Sequence, residues 1–479
     1  MEVSETVTTA PLNRRGFLGR TALAGLGVAL AGSVEALVRP GLASAVPGTA
    51  IGYGPLVPDP NRILALPVGF SYTVVSRSGE TTLDDGTPVP SDPDANGVFA
   101  HGNGSTIVTN HEIGKDEPFG VPVVDGLTYD PGARGGTTTV TVGPNGQRTG
   151  QYVSLAGTVN NCAGGITPWG TWLTCEETEA RAGSKGFTLD HGYVFEVDPA
   201  SQAANRGRSP VPLKFLGRYA HEAVAVDPAS SAIYLTEDAD EPNGLFFRWT
   251  PPQGFRGGPG ALRELAVSPG GDTAGSLQAM KCLDGGTHVP DLSQATEPGV
   301  RYAVEWVDVP DRDAATTPVR AQFAADEVTR SRKLEGQWWG DGGAYFVASY
   351  ARTGDGSVAE HDGQVWFYDP ASQTVTLKTL FGVNPDPSVD TGNYDGPDNI
   401  TVSPYGGVIL AEDGDGISHL IGVTAEGQPF AIARNELNDS EFCGPAFSAD
   451  GKTLFVNIQS PGHVFAITGP WGRASNVPS

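Results

Sequence analysis

The sequence of 479 residues predicts an all-β fold, a six-bladed β-propeller with loop insertions, preceded by a cleavable signal segment. Three observations predict it. With 65 Gly and 38 Pro, these two residues make up about a fifth of the chain, well above an average protein. A short β-rich unit recurs along the chain. Helical periodicity is nowhere sustained beyond the N-terminal segment. Hydrophobic residues make up 39% of the chain, enough for a sizeable core.

Residues 1–45 read as an address. Arg14 and Arg15, followed by Gly16, Phe17 and Leu18, form a twin-arginine-type export signal, with Asn13 where Ser or Thr is usual. The apolar run from Thr21 to Val34 is shorter than the roughly 20 residues of a membrane span, so stable insertion after cleavage is not expected. Cleavage is predicted after Ala45, in the small triplet Ala43-Ser44-Ala45. The partner implied is the twin-arginine machinery, which carries folded proteins, and the destination is periplasmic, cell-envelope or extracellular. Residues 46–479 are then one propeller domain. Nothing marks an oligomer, so a monomer is expected.

The leading strands of the repeat are Ser105–Glu112, Gly170–Glu177, Ala232–Asp238, Ala344–Tyr350, Gly407–Asp413 and Thr453–Gln459. Later strands begin at Gly192, Gly244, Gly363, His419 and Gly462, each followed by a turn. About 70 residues per unit is long for a four-stranded blade, but insertions such as Pro251 to Pro298 account for the excess. Paired β-sandwiches would also supply many short strands. They would not explain why successive units end in the same acidic residues.

A formal charge of −25 excludes a protein that grips nucleic acid or anionic lipid. The acidic strand ends Glu112, Glu176, Glu177, Glu237, Asp238, Glu412 and Asp413 fall at equivalent places, and a propeller brings equivalent strand ends together at its axis. Converging carboxylates repel unless a cation sits among them, and calcium accepts such oxygen donors with loose geometry. The plainer alternative is that each acid ends its strand in solvent. Asn160–Gly165, Tyr219–Glu222 and Asp395–Asn399 are read as loops leading into these strands. Cys162, Cys175, Cys282 and Cys443 suit disulfides in an exported protein, whose pairing is not legible. Cys162 could equally place a thiolate on iron or zinc. His111 and His221 could be acids or hydrogen-bond partners. Trp338 and Trp339 suit packing or a substrate mouth, and Asp413–Gly416 is a turn bearing one ligand.

The stretches NNCAGGITPWGTWLTCEE from Asn160, GRYAHEAVAVDP from Gly217, LEGQWW from Leu334 and DGPDNITVSPYGGVILAEDGDG from Asp395, with the twin-arginine leader, resemble the PhoX-type secreted alkaline phosphatases. The likeness runs from about Asn110 to Phe465, and its first motif is specific. The resemblance implies a metal-dependent phosphatase that hydrolyses small-molecule phosphate monoesters at a calcium and ferric-iron cluster. It implies Cys162 as thiolate on iron and Glu222, Asp398 and Glu412 as carboxylates shared between the metals. Glu176, Glu177, Glu237 and Asp238 are implied as calcium ligands. Glu335 matches a family ligand whose neighbouring arginine holds the substrate phosphate; here Lys333 occupies that place with Arg332 beside it. Two other readings stand: a calcium-dependent lactonase-like or phosphotriester-hydrolysing propeller, and a noncatalytic calcium-stabilised binding propeller.

Overall fold

Among the described residues most regular elements are antiparallel strands; the α-helices Gln202–Arg206 and Ala261–Ala266 are single turns or little more, and the remaining helical pieces are short 3-10 turns. The computed structural model describes residues 51–114, 116–206, 210–350 and 361–473. The export signal expected over 1–45 lies outside them.

Among the described residues the strands form five sheets, of six, three, ten, four and four strands, in an all-β, propeller-like arrangement. In each, chain neighbours pair as a meander; Pro93–His101, Gly104–His111, Gly135–Val142 and Arg148–Thr158 are one such sheet in sequence order. The strands Pro93–His101, Asn161–Ile166, His221–Val226, Leu334–Gly340, Pro397–Val402 and Phe442–Phe447 each pack against the next, and the last packs against the first. That closed ring of innermost strands defines the axis. The early strand Ser71–Arg77 pairs with the last described strand, His463–Thr468, so an early and a late segment of the domain share one sheet.

The insertion read as loop holds structure of its own. Its strand Ser276–Asp284 pairs with Phe246–Thr250 on one side and Arg301–Asp308 on the other, and the latter pairs with Thr374–Gly382. This bridge fuses two groups of strands into the ten-stranded sheet.

The strands expected nearest the axis lie one place further out, and the stretches read as loops are the innermost strands. For Asn160–Gly165 the reason is steric, and the same crowding holds at Leu334–Gly340. A Cβ on Gly164 would sit 2.0 Å from the Leu173 carbonyl oxygen, and one on Gly336 would sit 2.7 Å from the Asn399 Cα. Strands that crowd an axis select glycine and other small residues, whose low β-propensity makes them read as turns.

Each innermost strand slips register close to its start, as a β-bulge does. A bulge leaves backbone groups unpaired, and these need other partners. Side-chain amides supply them across the ring. Asn110 Nδ2 donates to the carbonyls of Cys162 at 3.0 Å and Ala163 at 2.8 Å, Gln337 Nε2 to Ala223 at 2.9 Å, and Asn96 Nδ2 to Gly444 at 2.8 Å. Each contributes about 1 kcal/mol.

Trp338 packs against three hydrophobic clusters at once and, with Ala95, Gly164 and Ile400, lines a cavity between the innermost strands. Trp339 stacks on Tyr234 at 6.1 Å between ring centroids. Both tryptophans are packing residues. Trp338→Ala is expected to lower stability by about 3 kcal/mol, read as a shifted urea midpoint.

Candidate metal centre

The second residue of the innermost strands is Asp94, Cys162, Glu222, Glu335, Asp398 and Cys443 in turn, and all six are buried. The residue before each of these strands accepts a hydrogen bond from the backbone N–H just past the end of the strand beside it. Glu112 donates to Asp92 at 2.9 Å, Glu177 to Asn160 at 3.0 Å, Asp238 to Ala220 at 3.2 Å, Ser349 to Lys333 at 2.9 Å, Asp413 to Gly396 at 2.8 Å and Gln459 to Glu441 at 3.3 Å. One local device, repeated around the ring, brings polar side chains to a common level.

Three groups of donors result: Cys162, Glu177 and Glu222; Glu222, Glu335 and Asp398; Asp398, Asp413 and Glu441. Within each group the donor atoms all lie within 4.8 Å of one another. Glu222 and Asp398 each belong to two groups, so the donors form one continuous arc. Burial, then the nearby Glu222, Glu177 and Asp94 carboxylates, push the Cys162 thiol well above its ordinary range. A thiolate at that point requires a cation beside it.

Of the expected ligands, the structure therefore brings together Cys162, Glu177, Glu222, Glu335 and Asp398. It does not bring Glu176, Glu237 or Glu412 into these groups. Successive side chains of a strand point to opposite faces, so the first acid of each pair turns away from its neighbour. Glu176 accepts from Val159 N at 3.0 Å, Gly192 N at 2.9 Å and Tyr193 N at 3.1 Å, and meets His191 Nδ1 at 2.6 Å. Glu412 accepts from Asp395 N at 2.8 Å and His419 N at 2.7 Å, and Glu237 accepts from Leu245 N at 3.2 Å and Arg320 Nη1 at 3.2 Å. Asp238 is half-buried and joins no donor group among the described residues.

Lys333 takes a left-handed φ of 47°, and its Nζ contacts Glu335 and lies 6.0 Å from the centre of the Tyr350 ring. Arg332 is half-buried beside it, with Nη1 lacking a hydrogen-bond partner among the described residues. His111 and His221 are hydrogen-bonded structural groups. Burial lowers their pKa values to about 4 and about 3; His111 bonds Ser91 O and Thr138 Oγ1, and His221 Nε2 bonds Gly217 O. All four cysteines are free and buried. Cys443 Sγ–H donates to Pro93 O at 2.9 Å.

The family model for alkaline phosphatase PhoX matches residues 51–462. The chain belongs to the PhoX alkaline phosphatase family. It is thereby placed among metal-dependent phosphatases. Its fold is similar to that of Pseudomonas fluorescens PhoX in complex with vanadate, a transition-state analogue: TM-score 0.65, 19% identity, 90% of this chain and 100% of that one covered. Lesser likenesses are to the PQQ domain of Coprinopsis cinerea pyranose dehydrogenase and to a gluconolactonase of Xanthomonas campestris. The first has TM-score 0.40 and 11% identity over 86% of this chain and 98% of that one. The second has TM-score 0.35 and 13% identity over 83% and 100%. No curated protein matches the sequence.

The donor set fits the metal dependence of the PhoX family. One sulfur with carboxylates at one end suits a borderline metal, and carboxylates alone at the other end suit a hard cation. Sequence reasoning missed Glu441; it placed Asp413 among the acidic strand ends and in a turn bearing one ligand, without singling it out as that ligand. The innermost strands begin PDA, NCA, HEA, LEG, PDN and FCG, so alignment on those triplets puts Asp94 and Cys443 in the column of Cys162.

Proposed function

We propose that the chain is an exported phosphatase that hydrolyses phosphate monoesters at a calcium and ferric-iron cluster on the axis of a six-bladed propeller. The observation that carries this reading is a buried cysteine within reach of two carboxylates, continuous with two all-carboxylate groups. A lactonase-like calcium site has no use for that sulfur, and a calcium brace for a binding surface has none either.

In this reading Cys162, with Glu177 and Glu222, holds iron, and Glu335, Asp398, Asp413 and Glu441 complete the calcium sites. When bound, the metals supply charge neutralisation of the phosphoryl oxygens and Lewis-acid activation of water. Lys333 supplies a compact positive charge for the phosphate on a chain whose net charge of −25 otherwise repels a dianion. Glu335 contacts the Lys333 ammonium and so aims it. Arg332 lends a second positive charge beside it.

Residues 1–45 serve as the twin-arginine export signal, and 46–479 form one catalytic domain that works as a monomer outside the cytoplasm. Export of an already folded chain allows the metals to be inserted first. Among the described residues no helix is long and apolar enough to cross a membrane.

The test is release of p-nitrophenol from its phosphate ester by protein of known iron and calcium content. Activity that follows metal content, with lactones inert, supports the reading; lactonase activity, or none in metal-loaded protein, contradicts it. Two further outcomes are expected. Lys333→Ala raises KM for the ester by about 10-fold, the worth of one charged hydrogen bond, read from initial rates. Chelation lowers Tm, because a cation held at about 1,000 times its Kd stabilises the fold by about 4 kcal/mol. Calorimetry with and without calcium measures that shift.

A further inference from the structure

Two buried glutamates that look like ligands in the sequence share one arrangement, at two points of the ring. Glu176 ends the strand Trp172–Glu176 and Glu412 ends Val408–Glu412. Each is followed at once by a member of a donor group, Glu177 or Asp413. Glu176 accepts from the N–H of Val159, three residues before Cys162, and Glu412 from the N–H of Asp395, three residues before Asp398. Each carboxylate thus ties together the two chain segments that deliver two donors of one group: Cys162 with Glu177, and Asp398 with Asp413.

Each is also held by a histidine close to the next strand, His191 three residues before Val194–Val197 and His419 at the start of His419–Val423. His191 Nδ1 meets Glu176 Oε1 at 2.6 Å, and its Nε2 meets Asp130 Oδ2 at 3.3 Å. His419 Nδ1 meets Glu412 Oε2 at 2.8 Å, and its Nε2 lies 3.5 Å from Asp390 Oδ1. Both rings are fixed by an aromatic edge, Tyr129 at 5.5 Å for His191 and Tyr394 at 5.3 Å for His419. Asp130 is anchored in turn by Thr188 N at 2.7 Å and Leu189 N at 2.9 Å.

We propose that the Glu176–His191 and Glu412–His419 pairs are positioning residues, one brace for each end of the donor arc, and that each sets the metal affinity of its own end alone. Glu176 with His191 holds Cys162 and Glu177 at spacing fit for iron; Glu412 with His419 holds Asp398 and Asp413 at spacing fit for calcium. This rests on the metal-site reading above. The braces touch no substrate and donate no electron pair to a metal. They act by holding the backbone from which the donors extend, as outer hydrogen-bond partners of metal ligands do.

The test is bound iron and calcium per chain, measured by elemental analysis after dialysis against graded metal concentrations, for the full chain and its variants. Loss of an outer partner costs about 10-fold to 100-fold in metal affinity. His191→Ala is expected to weaken iron binding by that factor and to dim the iron–thiolate absorption while calcium binding holds. His419→Ala is expected to weaken calcium binding and leave the iron absorption intact. His191→Gln, which can still donate to Glu176, is expected to recover iron binding in part and remains informative if the alanine variant does not fold. Equal loss of both metals in both alanine variants, in step with Tm, would show general destabilisation and overturn the proposal. Unchanged metal binding in both would overturn it too. Parent protein that binds neither metal would sink the site reading and the braces together.

Discussion

Cys162→Ser is expected to lower phosphatase activity by about 100-fold or more and to remove the iron–thiolate absorption band. The substitution exchanges one small buried side chain for another, and the sulfur's contacts are weak: 3.4 Å to the His221 carbonyl and 3.6 Å to that of Glu222. The fold is therefore expected to survive, with a change in stability of about 1 kcal/mol or less. What changes is donor chemistry. A serine hydroxyl stays protonated among Glu177 and Glu222 and offers iron a neutral oxygen where a thiolate stood. Absorption spectra, rates and urea denaturation on one preparation separate loss of the donor from loss of the fold.

The second large effect is expected at Glu222, which belongs both to the group containing Cys162 and to the group containing Glu335 and Asp398. Glu222→Gln keeps the shape and removes one negative charge from two sites together. Iron and calcium affinities are both expected to fall by about 10-fold or more, with activity following. Glu441 belongs to one group at the end of the arc, so Glu441→Gln is expected to weaken calcium alone. A titration of each variant with calcium and ferric ion checks the contrast. Equal behaviour of the two variants would mean that the donors do not act as a linked arc.

The all-β, propeller-like architecture was legible because alternating strands, turn residues and a repeated acidic strand end leave their mark on local sequence. The level at which the donors meet was harder to read. Asn161–Ile166 contains the glycines that a crowded axis demands, so it reads as a loop although it is a strand. The doublets Glu176-Glu177 and Glu412-Asp413 drew attention as pairs, but a strand sends neighbouring side chains to opposite faces. Only Glu177 and Asp413 join the donors; Glu176 and Glu412 clamp backbone N–H groups behind them. Cys162, Glu222, Glu335 and Asp398 were found through motif resemblance, which is blind to whether a stretch is loop or strand. Glu441 lay outside those motifs, and the leading strand of its unit, Thr453–Gln459, ends without an acidic doublet. Its place follows from the ring of strands, which no local pattern encodes.

The most direct measurement is X-ray absorption at the iron edge on protein exported in its folded state, compared with the Cys162→Ser variant. The account predicts a sulfur neighbour of iron in the parent protein and only oxygen or nitrogen neighbours in the variant. An iron site without sulfur in the parent, or protein active on phosphate esters with no iron bound, would contradict it.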